Sequence, residues 1–176
     1  PLGDLRVCNG RPYWTESRPA EAGRYVIVTP NGKGSIRELT PPSFGSRTRV
    51  NEYGGASYVV TGDAIYFSNW ADQRLYVQRG NGKPEPLTPT GYRYADGVMH
   101  PSGKLLFFVR EDHSRGGEAK TEIVALQPDG GAGTVLFGGT DFVAAPRVSP
   151  DGRQLAWIAW NHPDMPWDTT TLCLGD

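Results

Sequence analysis

Apolar and polar residues alternate along short stretches of this chain, and segments with the period of a helix are hard to find. The clearest stretches are RPYWTES, AIYFSN, KLLFFVR and RQLAWIA, each shortly after a glycine that follows a turn residue. Short runs rich in aromatic and β-branched residues, bounded by such turn signals, are typical of strands. The pattern therefore predicts an all-β protein.

The same local pattern occurs four times, which indicates a repeat protein. The four marker glycines are Gly10, Gly62, Gly103 and Gly152, spaced 52, 41 and 49 residues apart. A candidate strand precedes each glycine, a second and a third follow it, and three of the four units continue into a further short element. Four short antiparallel strands in about 40 to 50 residues have the size of one propeller blade.

We therefore predict a partial β-propeller with about four blades of four-stranded antiparallel sheets, as a single segment over residues 1–176. The blades are assigned to residues 1–41, 42–89, 90–139 and 140–176. The last blade is incomplete, and blades of this length usually belong to larger rings, so we expect a truncated fragment. A blade cannot bury both faces alone. An open arc of blades would expose apolar faces, and we expect it to self-associate.

Composition and charge exclude several classes of function. The 176 residues are 38 % hydrophobic and 21 % charged, which suits a folded domain with a core. The formal net charge is −1 and there is no basic run, which argues against a nucleic-acid partner. No long apolar run predicts a membrane span. We expect a cytoplasmic protein, although the chain begins at Pro1 rather than Met and targeting information could have been trimmed away.

Candidate metal, phosphate and redox motifs are weak. Cys8 and Cys173 lie near opposite ends of the chain without a CxxC motif, so we interpret them as half-buried thiols in strands. Whether they interact stays open. Gly54 and Gly55 in RVNEYGGASYVV have no helix after them, and we interpret them as a tight turn onto the inner strand of the second blade. We predict no metal and no cofactor.

Several stretches, taken in order, resemble the N-terminal β-propeller of the prolyl oligopeptidase family of serine peptidases. They are RVNEYGGASYVV, IYFSNWADQRLYVQ, RYADG, VREDH and SPDGRQLAWIAWNHPDMPWD. The resemblance extends from about Tyr13 to Trp167 and is nearest to the acylaminoacyl-peptidase and dipeptidyl-aminopeptidase-like branch. That branch often has His directly before EYGG, where this chain has Asn51.

The resemblance implies a role without catalysis in this chain. Members of the family place an α/β-hydrolase domain with a G-x-S-x-G nucleophile after the propeller, and no G-x-S-x-G occurs here. The three histidines have local explanations: His100 and His162 precede prolines, and His113 lies in a charged insertion over 110–121. We predict no catalytic residue, so whether the chain is part of an enzyme stays open.

The resemblance also implies partners. In a whole peptidase the propeller would gate substrate access, admit a peptide substrate, and dock the α/β-hydrolase domain beside the remaining blades. The alternative is a free-standing propeller, similar to TolB, that acts as a ligand- or protein-binding scaffold. A reading frame that continues past Asp176 into G-x-S-x-G would favour the peptidase.

Four side chains are candidates for substrate binding, and each has a structural alternative. Glu52 and Tyr53 precede the second inner strand, where acidic residues of the family can bind a substrate's amino terminus. Alternatively, Glu52 only bonds backbone amides of the turn. Arg93 stands at the matching place in the third blade, where it could pair with Asp96 to hold the blades together. Trp167, in a proline-stiffened loop, either meets a substrate or partner domain or covers the blade core.

Overall fold

A computed structural model describes residues 2–32 and 34–176 as strands joined by short turns. In chain order the strands are β1 (Leu2–Cys8), β2 (Arg11–Arg18), β3 (Arg24–Pro30), β4 (Ile36–Glu38), β5 (Tyr58–Val60), β6 (Ala64–Ser68), β7 (Leu75–Arg79), β8 (Glu85–Pro86), β9 (Tyr92–Met99), β10 (Leu106–Asp112), β11 (Lys120–Gln127), β12 (Gly130–Phe137), β13 (Phe142–Val148), β14 (Leu155–Trp160) and β15 (Thr171–Gly175). One turn of 3₁₀-helix spans Pro19–Glu21. Within the described residues, no helix has the length and apolar character needed to cross a membrane.

The strands form four antiparallel sheets, each built from consecutive strands. Strands β1–β4, β5–β8 and β9–β12 make four-stranded sheets, and β13–β15 make a three-stranded one. We call these sheets blades 1 to 4. Their inner strands β1, β5, β9 and β13 lie side by side in chain order, which gives a ring-like propeller arrangement. The predicted all-β propeller fold with an incomplete last blade is confirmed.

The apolar core lies between neighbouring blades. Between blades 2 and 3, Tyr66 and Leu75 belong to the same buried cluster as Leu106 and Phe108. The cluster at blades 3 and 4 contains Val109, Ile123, Val143, Trp157 and Ala159, and the one at blades 1 and 2 contains Ile27, Tyr58 and Phe67. The faces where successive blades meet are therefore buried by the neighbouring blade, as the repeat architecture requires.

Carboxylates link the inner strands of successive blades. Asp4 and Asp96 have positive φ angles of 49° and 55° at register shifts in β1 and β9. Asp4 Oδ2 accepts a hydrogen bond of 3.0 Å from the Ser57 N–H in blade 2. Asp96 accepts from Ala56 N–H in blade 2 at 2.8 Å and from Ala145 N–H in blade 4 at 3.0 Å. Aspartate tolerates the left-handed region better than most residues, which suits it to this position.

The glycine pair before β5 forms the tight turn that the sequence predicts. Gly54 has a φ of 90°, and its N–H donates to the carbonyl oxygen of Val50 at 2.9 Å. A Cβ on Gly55 would lie 2.8 Å from a carboxylate oxygen of Asp96 and 3.0 Å from the Cβ of Ala95. Gly54 therefore provides the turn, and Gly55 allows blades 2 and 3 to approach closely.

The inner strand of blade 3 begins earlier than the sequence predicts. The sequence predicts that Arg93 precedes this strand, as Glu52 precedes the second inner strand, whereas β9 begins at Tyr92 and includes Arg93. Gly97 lies inside this strand. A Cβ there would lie 2.3 Å from the ring of Phe108 and 2.4 Å from Val59, so the glycine makes room for core side chains inside a continuous strand.

The two end blades expose apolar side chains on β1 and β15, more fully than Val135 and Leu136 on the outer strand of blade 3. Leu5 and Val7 on β1 are 67 % and 68 % exposed, and Leu172 and Leu174 on β15 are 75 % and 63 % exposed. On β10 of blade 3, by contrast, every residue from Leu106 to Glu111 is buried. The outer faces of blades 1 and 4 are therefore the apolar surfaces of this propeller segment.

Candidate functional site

One face of the propeller carries both candidate cavities. The connections between successive blades meet there with the β2–β3, β6–β7, β10–β11 and β14–β15 turns, and we call it the upper face. The larger cavity, of about 950 Å³, lies at blades 3 and 4 beside the turn that precedes β5. We call it the acidic cavity; its lining includes Glu52, Tyr53, Glu111, Glu122, Phe142 and Trp160.

Arg93 joins the carboxylates at the edge of this cavity. Its Nη1 donates to Glu52 Oε1 at 2.6 Å and to the carbonyl oxygen of Arg49 at 3.1 Å, and it lies 3.5 Å from Glu111 Oε2. Two of the predicted site residues, Glu52 and Arg93, are thus in direct contact. The predicted pair of Arg93 with Asp96 does not form. Asp96 instead accepts hydrogen bonds from backbone N–H groups of blades 2 and 4.

Glu52 is held in its charged form. The hydrogen bond from Arg93 and the positive charge of its guanidinium keep the pKa of the Glu52 carboxyl below its ordinary value. Glu52 and its neighbour Asn51 both have positive φ angles, 59° and 53°, so the turn projects them from a sparsely populated backbone conformation. The carboxylate of Glu52 is therefore an exposed anion whose direction the turn and Arg93 determine together.

Glu111 is a site residue that sequence reasoning missed. Its side chain is only 7 % exposed, Oε1 accepts a 2.6 Å hydrogen bond from Asn51 N–H, and Oε2 lies 3.0 Å from His113 Nε2. The sequence prediction assigned Glu111 to a charged insertion that begins at residue 110. In the structure Arg110 and Glu111 belong to β10, and the signal that could have placed them is the unbroken apolar run LLFFV directly before them.

Buried charge at the end of β10 is compensated by partners on neighbouring elements. The guanidinium of Arg110 binds the carboxylate of Glu122 on β11, donates to the carbonyl oxygen of Ala132 at 2.6 Å, and stacks over the ring of Tyr92. Burial of a charge is costly unless such partners replace water. The insertion predicted over 110–121 was wrong at both ends, since β10 continues to Asp112 and β11 begins at Lys120. A sequence pattern that assigns charged runs to the surface does not show the partners that allow Arg110 to be buried.

The two predicted aromatic candidates are both exposed. Tyr53 lines the acidic cavity and is 59 % exposed. Trp167 is 74 % exposed in the β14–β15 loop, so it does not cover the blade core. Met165, from the same loop, lines the acidic cavity. The loop therefore contributes one apolar side chain to the cavity and leaves Trp167 at the surface.

Histidines and cysteines serve local roles. His100 lies 2.7 Å from Ser102 Oγ through Nδ1 and 3.0 Å from the carbonyl oxygen of Gly152 through Nε2, a contact between blades 3 and 4. Cys8 and Cys173 are free, half-buried thiols in β1 and β15. Across residues 2–32 and 34–176, no group of three or more His, Cys, Asp or Glu is arranged to hold a metal ion.

A second cavity lies at blades 1 and 2 on the upper face. It has a volume of about 410 Å³ and is lined by Arg24, Tyr25, Ser43, Arg47 and Trp70 among others. The guanidinium carbon of Arg47 lies 4.4 Å from the centroid of the Trp70 ring and 5.4 Å from that of Tyr25. We call it the basic cavity because Arg47 and its neighbours give it the opposite charge character to the acidic cavity.

Comparison with solved structures reveals extensive similarity to peptidases. The chain is 37 % identical to a puromycin-hydrolysing peptidase of Mycobacterium tuberculosis, with a TM-score of 0.89 over 98 % of this chain and 30 % of that one. It is 30 % identical to a puromycin hydrolase, with the same TM-score and the same coverage of both chains. The chain is a propeller segment of the prolyl oligopeptidase family. The predicted resemblance is thus confirmed.

The similarity to these peptidases covers only part of their length. This propeller segment spans 30 % of the length of the prolyl oligopeptidase family peptidases that it matches. TolB of Acinetobacter baumannii matches all of this chain and 41 % of its own, with a TM-score of 0.66 and 15 % identity, which shows a shared fold alone. No protein-family model matches the sequence, and the search of curated proteins gave no match either.

Proposed function

We propose that this chain is the non-catalytic propeller part of a serine peptidase, where it limits access to the active site and docks an α/β-hydrolase domain. The observation that carries the proposal is 37 % identity across 98 % of the chain to a peptidase of which this chain covers 30 %. The chain itself has no G-x-S-x-G sequence for a nucleophile. Its contribution to hydrolysis is therefore substrate selection and not bond cleavage.

The acidic cavity supports a peptide with a free amino terminus as the substrate class. Glu52 Oε1 is used by Arg93, whereas Oε2 accepts no hydrogen bond from any residue that the structure describes. An ammonium group at Oε2 would gain a charge-assisted hydrogen bond at the edge of a partly desolvated cleft. The buried carboxylate of Glu111 adds negative charge behind it, and the rings of Tyr53 and Trp160 offer apolar contacts for side chains.

Arg93 acts as a positioning residue in this proposal. It holds Glu52 by a short ion pair, and it also contacts the Arg49 carbonyl of the turn that presents Glu52. Loss of Arg93 would free the exposed glutamate to sample several rotamers, which raises the entropic cost of binding an amine. Trp167, exposed on the loop next to the cavity, is proposed to contact the hydrolase domain or the substrate.

The test of amine binding uses a chimaera in which residues 2–176 replace the matching part of the M. tuberculosis peptidase. E52Q is expected to lower kcat/KM for a free-amino peptide by about tenfold, since the charge-assisted hydrogen bond weakens. The acylated form of the same peptide should be hydrolysed at an unchanged rate. E85Q, an exposed glutamate on the outer strand of blade 2, is the matched control. Equal losses on both substrates would refute amine binding.

The exposed apolar faces of blades 1 and 4 support a further part of the proposal. Leu5 and Val7 on one face and Leu172 and Leu174 on the other would be covered by additional blades in a parent peptidase. The isolated chain is proposed to self-associate through the same faces. Light scattering should therefore give a mass above that of the monomer, lowered by L172S/L174S. A monodisperse monomer of the unmutated chain would contradict this.

A further inference from the structure

A second site lies at the basic cavity, at blades 1 and 2, and its Arg49 adjoins the turn that presents Glu52. The segment over 45–50 crosses the upper face in an extended conformation with alternating burial: Ser46, Thr48 and Val50 are buried, whereas Arg47 and Arg49 are exposed. Because successive side chains of an extended segment point to opposite sides, both arginines lie on the solvent side. Backbone hydrogen bonds fix the segment, including one of 3.0 Å from Arg47 N–H to the Ser68 carbonyl.

Trp70 holds both guanidinium groups against one ring. The guanidinium carbons of Arg47 and Arg49 each lie 4.4 Å from the Trp70 ring centroid. The backbone N–H of Trp70 donates to the Gly45 carbonyl at 2.8 Å, which fixes the backbone of Trp70 beside the arginine segment. Stacking on an aromatic face leaves the in-plane N–H donors of a guanidinium free for a planar or tetrahedral oxyanion.

The two guanidinium groups at this ring form no ion pair within the described residues, although the charge of Arg49 is felt by the carboxylate of Glu52. Among residues 2–32 and 34–176, neither Arg47 nor Arg49 has a carboxylate within 4.0 Å or a side-chain hydrogen bond to another group. Arg24, at the other side of the cavity, is different: it binds Glu21 at 2.7 Å and Glu38 at 2.6 Å. Two ordered cations at one ring repel each other, and an anion between or beside them would relieve that repulsion.

We propose that the basic cavity binds an oxyanion, a carboxylate or a phosphate, through Arg47, with Arg49 adding a second positive charge at the Trp70 ring. The cavity volume of about 410 Å³ admits a small molecule that carries the anion, and the Ser43 hydroxyl lines the same space. The paired Glu21 carboxylate is neutralised by Arg24, so it does not cancel the attraction. This site is independent of the peptidase assignment, since it needs only the described residues.

The test titrates the 176-residue chain with inorganic phosphate in one arm and with acetate in the other, at constant ionic strength. Arginine Nε–H and tryptophan indole N–H signals are followed by NMR. We expect saturable shifts at Arg47, Arg49 and Trp70 in at least one arm, and the stronger arm identifies phosphate or carboxylate as the preferred anion. Absence of saturable shifts in both arms would overturn the proposal.

Variants separate a specific site from general surface charge. R47Q/R49Q is expected to weaken anion binding by about tenfold or more, because the guanidinium forks are lost. R115Q, an exposed arginine on the β10–β11 turn, is the matched control and should leave the affinity unchanged. R47K/R49K keeps the positive charges but loses the paired N–H donors of the guanidinium groups. It tests the anion site even if R47Q/R49Q fails to fold. Equal affinities for R47K/R49K and the unmutated chain, or an equal loss in R115Q, would refute the site.

Discussion

Blades 1 and 3 have the same strand order, yet apolar side chains that are buried on a strand of blade 3 contrast with exposed ones on the inner strand of blade 1. Blade 3 packs against blade 2 and blade 4, and its strand β10 is buried from Leu106 to Glu111. Blade 1 packs against blade 2, and Leu5 and Val7 of its inner strand are exposed. The burial of a propeller residue is therefore decided by the neighbouring blade as much as by its own strand.

The largest expected effect compares one leucine from each environment. Leu106 is fully buried in blade 3, and L106A should lower the free energy of unfolding by about 2–5 kcal/mol, because it removes packed methyl groups and leaves a cavity. L174A, on the exposed face of blade 4, should lower it by less than about 0.5 kcal/mol. Urea denaturation of both variants measures the difference. Equal losses of unfolding free energy in L106A and L174A would contradict the difference in burial between middle and end blades.

A buried tyrosine of blade 3 should make stability depend on alkaline pH. Burial raises the pKa of Tyr94 to about 12, above the ordinary value near 10 in the unfolded chain. The stabilisation is fully present below about pH 10 and is lost as pH rises through the folded pKa. Between about pH 10 and the folded pKa, the free energy of unfolding should fall by about 2–3 kcal/mol. Burial also raises the pKa of Tyr58, which adds to the same loss.

Denaturation between pH 9 and 11.5 tests this expectation. The variant Y94F removes the titrating hydroxyl while it keeps the ring in the core, so its stability should fall less steeply over this range. A pH dependence identical to that of the unmutated chain would mean that Tyr94 titrates normally. The buried environment assigned to the middle blades would then be wrong at this position.

Substitution of Asp96 should have the third largest effect on the free energy of unfolding, because its carboxylate links three blades. D96N replaces one of its two accepting oxygens with a donor, which leaves one amide, of Ala56 or Ala145, without its partner. We expect a loss of about 1–2 kcal/mol. Hydrogen exchange should localise the change to the amides of Ala56 and Ala145. Unchanged exchange at both amides would exclude the bridging role.

The smallest expected effect is that of Glu52 on stability. Its ion pair with Arg93 lies at the surface, so E52Q should change the free energy of unfolding by less than about 0.5 kcal/mol. Chemical denaturation measures it, with R93Q as the companion variant. A loss as large as that of D96N would make Glu52 a structural residue and would weaken its proposed part in binding substrate.

The strands could be predicted from local pattern, whereas the side chains that join the blades could not. A glycine after a turn residue, followed by aromatic and β-branched residues, marks β2, β6, β10 and β14 correctly. Gly97 does not mark a turn: it lies inside β9, where the lack of a side chain makes room for Phe108. Arg110 and Glu111 resemble surface charge until their partners are known. The partners of Asp96 are likewise distant in sequence, so only the folded arrangement reveals them.

The non-catalytic propeller role is tested most directly by a chimaera in which residues 2–176 replace the matching 30 % of the M. tuberculosis puromycin-hydrolysing peptidase. Hydrolysis of puromycin by the chimaera is measured beside hydrolysis of a chromogenic peptide by the 176-residue chain alone. The predicted result is a folded chimaera that hydrolyses puromycin and an isolated chain that hydrolyses nothing. Peptidase activity in the isolated chain, or a folded chimaera without activity, would contradict it.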